Sequence, residues 1–158
     1  MVLMLLPGGI CIGESDIINN GDGTFSMENG IFLRHYEGYP EDSQKFLSVL
    51  DACYSMIGAY SEIIDPYVNG DKPFDDSQWD VIDTEVRYMS GFACSWIMQN
   101  DVPAGLAEHG DEIFFAAYQL MIANDLLMTA FRIEDTQTAA LASYYYGLAD
   151  AGLEWWKR

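Results

Sequence analysis

Two apolar stripes separated by a short turn constrain this chain more than any other feature. Between residues 40 and 65, Phe46, Leu50, Cys53, Ile57, Tyr60 and Ile64 follow one another at steps of four, three, four, three and four. That spacing keeps one side of a helix turned toward a neighbour along its length. Pro40 suits the first helical position, where its missing N–H would be unpaired anyway. Glu41 and Asp42 then set negative charge near the positive end of the helix dipole. Pro66, Pro73 and the pair Asn69-Gly70 predict a turn over residues 65–73. A second start signal follows, with Asp75 and Gln78 spaced as a capping box and Phe74 and Trp79 as a hydrophobic staple. Trp79, Ile82, Val86, Met89, Ala93 and Trp96 repeat the three-four spacing. Two such stripes joined by a short loop should form an antiparallel helical pair.

The chain before this pair has strand chemistry. Segments 2–6, 16–18, 24–27 and 31–33 are apolar or β-branched, and Asn19-Asn20-Gly21-Asp22-Gly23 is a strong hairpin signal. Residues 1–36 are therefore expected to form a small antiparallel β element. The run from Asn20 to Phe25 also resembles the middle of a calcium loop of the EF-hand or dockerin type. Ile18 and Asn29 stand where that loop needs its first and last acidic ligands, so an ordinary hairpin turn is the preferred reading.

Two further helices are expected after the pair. The third, over about 111–132, is apolar around most of its circumference through Ile113, Phe114, Tyr118, Met121, Leu127, Met128 and Phe131. Asp111, Asp125, Thr129 and Arg132 fall within roughly 60° of one another and mark a narrow solvent strip. This helix is expected to be the most buried of the four. The fourth runs from Thr136 to about Trp156, with Asp135 or Thr136 as its cap. Its ridge of small residues, Ala139, Ser143, Gly147 and Ala151, is expected to face another helix. The fold class is thus mainly α (α+β), a four-helix core of two antiparallel helical pairs with a small N-terminal antiparallel β element. One domain is expected over 1–158, β-rich over 1–36 and helical over 40–158.

Charge limits the partners. The 158 residues hold 25 acids against 7 bases, a net charge of −18. A surface of that kind repels nucleic acid and anionic membrane and attracts a basic protein partner or cations. Cys53 and Cys94 read as small buried thiols suited to a reducing compartment, with a Cys53–Cys94 disulfide as the alternative. The apolar N-terminal run lacks the basic region of a signal peptide, and the segment 113–133 is interrupted by Gln119, Asn124, Asp125 and Arg132. A cytoplasmic location follows as the expectation.

Catalytic signatures are weak. The Glu-x-x-His pairs of di-iron carboxylate bundles do not occur, and His35 and His109 lie far from each other and from paired cysteines. Gly13-Glu14-Ser15-Asp16 lacks the second glycine of a nucleophile elbow. No phosphate-cradling glycine loop occurs. No cofactor or metal is expected. Asp76, Asp80, Asp83 and Arg87 share a sector of about 60° on the second helix, with Asp75, Trp79 and Tyr67 nearby. Asp75, Asp76, Asp80, Asp83, Trp79 and Tyr67 form the expected partner-binding surface. Consecutive aromatics point about 100° apart on a helix, so part of Tyr144-Tyr145-Tyr146 and Trp155-Trp156 must leave the core. These rings are expected to lie under the N-terminal strands, with an exposed oligomer surface of Tyr145, Tyr146 and Trp155 as the alternative.

The functional expectation is a non-enzymatic acidic binding protein that occupies the basic, nucleic-acid-binding type of surface on another protein. Immunity proteins, nuclease inhibitors and phage-encoded inhibitors of bacterial defence resemble this chain in composition as a class. A self-assembling homo-oligomeric subunit and a metal-dependent enzyme using clustered carboxylates are the alternatives.

Overall fold

The structure, a computed structural model, describes residues 36–74 and 90–156 (backbone alone at 91–92), the positions Trp79, Ile82, Asp83, Val86 and Arg87, and the backbone of three short strands. The described chain is mainly helical. It divides into two compact units, Met1–Ser48 and Val49–Arg158.

In the first unit, β1 (Ile17–Asn19), β2 (Thr24–Met27) and β3 (Phe32–Arg34) pair antiparallel in the order β1-β2-β3. Ile18 stands opposite Ser26, and Phe25 opposite Leu33. Most of the expected β element at 1–36 lies outside the described residues. The approach to the first long helix is a clamped turn. Gly38 takes a φ of 87°, a backbone state open to glycine without a Cβ clash. The side chain of Gln44 then holds the turn from both directions. Its Oε1 accepts from the Tyr36 N–H at 2.8 Å, and its Nε2 donates to the carbonyls of Tyr36 at 3.1 Å and Tyr39 at 3.0 Å. Pro40 precedes a 3-10 turn, Glu41–Ser43, and that turn runs into α1 (Gln44–Val68). The helix proper thus begins four residues later than the proline suggested.

Its end is later too. Pro66 lies inside α1 instead of stopping it, because a proline in the last turn removes only one intrahelical bond. The stop comes from Gly70 at φ 73°. Asp71 N–H donates to the Pro66 carbonyl at 2.8 Å and Gly70 N–H to the Tyr67 carbonyl at 3.3 Å, the pair of bonds that defines a Schellman ending. All six residues of the expected α1 stripe are buried.

The second stripe shows a phase change. Ile82, Val86 and Ala93 are buried as expected, but beyond them Ile97 is buried while Trp96 is only partly so. Ser90–Cys94 is a π turn leading into α2 (Ser95–Gln99). A π turn inserts one residue into the helical repeat, which moves the buried position from 96 to 97.

The last two helices, α3 (Gly110–Ile133) and α4 (Thr136–Gly152), are joined by two residues and pack as an antiparallel hairpin. Glu134 ends α3 at a φ of 53°. Asp135 caps α4 by accepting from Thr138 N–H at 2.8 Å and from Thr138 Oγ1 at 2.5 Å. These hydrogen bonds, the side-chain one first, hold its carboxyl below the usual 3.8. The helices meet through small residues. Ala116, Ala117, Ala123 and Ala130 on α3 and Ala139, Ala142 and Ala149 on α4 are all buried. A Cβ added at Gly152 would lie 3.3 Å from that of Ala116. The expected ridge is corrected here. Gly147 and Ala151 face outward, and the buried line is Ala139, Ala142, Tyr146, Ala149 and Leu153. Tyr146 needs the inner side, and one bulky aromatic sets the rotation of the whole helix.

Candidate functional site

The expected acidic surface on the second helix is described in part. Asp75, Asp76 and Asp80 lie outside the described residues. Trp79 is helical and partly buried. Asp83 is ion-paired with Arg87, four residues on. Tyr67 does not reach this surface: it is 1% exposed. Its ring packs on Phe74 at 5.0 Å and on Phe131 at 4.6 Å, with Lys72 Nζ 5.8 Å from its centre. Tyr67 is therefore a core ring, packed between the half-buried Phe74 and the buried Phe131, where its burial is worth more than display.

The expected oligomer surface is rearranged in the same way. Tyr146 is fully buried and donates to Asn124 Oδ1 at 2.8 Å. Trp155 is partly buried, stacked on His109 at 3.7 Å and 7°, and its Nε1 donates to the Gly152 carbonyl at 3.1 Å. Tyr144 is the tyrosine that leaves the core, at 60% exposure. His109 Nδ1 lies 2.7 Å from Glu112 Oε2, so the stacked ring is held at the start of α3.

Inside the hairpin sits a polar group in an apolar setting. Asn124 is 0% exposed, and its Nδ2 has no hydrogen-bond partner among the described residues. Tyr60 stands beside the Tyr146 ring at 6.2 Å. Burial and the nearby Tyr60 and Cys94 push the Tyr146 hydroxyl well above 10.0. Cys53 and Cys94 are free and buried. A hydrogen bond with the Cys94 thiol and burial push the Cys53 thiol well above 9.0. A buried, neutral thiol is a poor nucleophile, and these groups read as core.

The outer side of α3 is different. Phe114, Phe115 and Tyr118 are 45%, 58% and 45% exposed, with the two phenyl rings edge to face at 5.8 Å. Asp111, Glu112, Asp125 and Glu108 are exposed around them. The sequence reading counted Phe114 and Tyr118 as core and α3 as the most buried helix, and the structure corrects both. The signal was present. At 100° per residue Phe114 shares its direction with Arg132, and Tyr118 lies between Asp125 and Asp111. The strip recognised from its charges also contains the aromatics. By length and composition 104–133 is apolar enough to cross a membrane, yet its buried residues recur on one side in the manner of a core helix.

Among the described residues no group of three or more His, Cys, Asp or Glu side chains is placed to hold a metal ion. Comparison with known protein families, with characterised proteins and with solved structures returns no match.

Proposed function

We propose that this chain is a non-enzymatic binding protein that occupies a basic surface on another protein, as an inhibitor or an immunity or anti-defence factor. The observation that carries the reading is the exposed Phe114, Phe115 and Tyr118 cluster set among carboxylates on a chain of net charge −18. Aromatics anchor interfaces when they are desolvated. The surrounding carboxylates would steer a basic partner toward them and discriminate against acidic ones. Asp76, Asp80 and Asp83 add to the negative charge of the chain and would contribute chiefly to the rate of encounter. A cytoplasmic setting goes with this reading, supported by the free thiols of Cys53 and Cys94. The N-terminal residues 1–36 are proposed as a small antiparallel β element, and the helical part as a four-helix core of two antiparallel pairs.

The test is capture from lysate on the immobilised full chain at about 50 and 300 mM NaCl, with bound proteins identified by mass spectrometry. The expected result is one basic protein retained at both salts. It should be lost when Phe114 and Phe115 are both changed to Ala, and should bind more slowly when Asp76, Asp80 and Asp83 are all changed to Asn. Retention of only a salt-sensitive crowd of basic proteins, equal on both variants, would refute the proposal, because diffuse attraction alone behaves that way.

A further inference from the structure

The aromatic cluster on α3 belongs to a longer strip. At 100° per residue, Asp111, Phe114, Phe115, Tyr118, Ile122 and Asp125 fall within about 100° of one another. The buried residues of the helix take the opposite side. Along the axis the order is a carboxylate, three rings, an aliphatic side chain and a second carboxylate. Asp111 precedes the two phenyl rings by three and four residues and Tyr118 follows them by the same steps, so these side chains are neighbours on the helix surface. Asp111 and Asp125 stand fourteen residues apart, about 21 Å along the axis. Both are exposed, and neither is in an ion pair among the described residues. Glu112, by contrast, is engaged by His109 at 2.7 Å. Arg132, seven residues past Asp125, ends the strip with the opposite sign.

We infer that this strip receives a basic amphipathic helix of the partner, with two arginines about fourteen residues apart and apolar side chains between them. The inference rests on the binding function proposed above and names the element of the partner that fills the site. Charge complementarity sets the sign at both ends, where Asp111 and Asp125 each take a cation. The rings between them take apolar anchors, so a segment basic along its whole length fits less well. The backbone selects a helix. The outward side of α3 offers side chains only, because the N–H and C=O groups behind them are bonded within the helix. An extended segment would lay unpaired N–H and C=O groups against the rings, at a cost in free energy. A helix brings those groups already paired, and its 3.6-residue repeat keeps its anchors in step with Phe115, Tyr118 and Ile122. Arginine is selected over lysine at the Asp111 end. A planar guanidinium stacks on a phenyl face while its edge donates to the adjacent carboxylate, whereas an ammonium is a strongly hydrated point charge.

Fluorescence anisotropy of a labelled synthetic peptide of about twenty residues, titrated with the full chain in about 0.15 M NaCl, tests it. The probe carries two arginines fourteen residues apart, four leucines between them on the same face, and alanine and glutamine elsewhere. Its expected dissociation constant is on the order of tens of micromolar. A peptide of the same composition with its arginines seven residues apart should bind roughly tenfold more weakly. One with lysine in place of both arginines should bind roughly threefold more weakly. Asp125→Asn should erase the advantage of the wide spacing. Tyr118→Ala should weaken the wide-spaced peptide roughly tenfold, and circular dichroism of each variant confirms that the helices remain. Equal affinity of the wide-spaced arginine peptide and either control would overturn the inference. So would binding indifferent to Asp125→Asn, or no binding at about 1 mM. If the lysate capture nonetheless retains one basic protein and loses it when Phe114 and Phe115 are both changed to Ala, the binding function stands and only the arginine-bearing helix falls.

Discussion

The pair Tyr146 and Asn124 offers the sharpest test of how the core is held. Tyr146 donates to Asn124 Oδ1 at 2.8 Å with both residues at 0% exposure, and Asn124 Nδ2 has no partner among the described residues. Changing Tyr146 to Phe deletes the donor and strands a second polar atom of Asn124. The loss of the bond plus the unpaired carbonyl should cost about 1–2 kcal/mol. Changing Asn124 to Leu acts differently. It removes an amide nitrogen that is already unsatisfied and leaves only the Tyr146 hydroxyl unpaired, so its net effect should lie within about 1 kcal/mol of zero. The double variant replaces both polar groups with apolar ones of similar size and should be no less stable than the native chain. The cycle therefore predicts a coupling of about 1–2 kcal/mol. In urea, with a slope of about 2 kcal/mol per M, Tyr146→Phe should lower the midpoint by roughly 0.5–1 M. Far-UV circular dichroism and tyrosine-tryptophan fluorescence should report the same shift. A coupling below about 0.3 kcal/mol, the ordinary level for independent sites, would refute the reasoning. The hydrogen bond would then contribute nothing that solvent does not already supply.

Two dependences on pH follow from other groups. The Tyr146 and Cys53 protons are held more tightly folded than unfolded. Their contribution is complete below the ordinary values, 10.0 for Tyr146 and 9.0 for Cys53, and is lost as pH rises beyond them. Thermal melts between pH 8 and 11 should show this decline, flattened by Cys53→Ala, and an unchanged slope in that variant would count against the thiol's role. Asp135 behaves oppositely, because Thr138 lowers its proton affinity. Its capping is complete above the usual 3.8 and is lost as pH falls below it. The protection of the Thr138 amide relative to its intrinsic exchange rate should fall on acidification, and Asp135→Ala should remove that pH dependence.

Residue type misleads about inside and outside wherever direction on the helix disagrees with it. Aromatic character predicts Phe114 and Tyr118 in the core, although their directions coincide with those of Arg132 and Asp125. Ala139, Ser143, Gly147 and Ala151 were taken as a packing ridge because they are small, yet Tyr146 outweighs them and turns Gly147 outward. Trp96 was placed on the inner stripe by a regular repeat that the π turn at Ser90–Cys94 interrupts. Tyr67 was offered to a partner because it lies near a cluster of aspartates, but the extension of α1 past Pro66 carries its ring inward to Phe131.

What the sequence determined by itself was local and periodic. The stripe of α1, the two-residue break at Glu134-Asp135, the Asp135 cap and the ending at Asn69-Gly70 all depend on backbone hydrogen bonds between near neighbours. Such bonds are written in spacing and turn chemistry. The overall excess of negative charge is equally independent of folding. The tertiary structure alone decided which side of α4 faces in and that Asn124 and Tyr146 meet across 22 positions of chain. Those outcomes turn on volume, since a close-packed interior admits one rotation of each helix and leaves every other side chain outside.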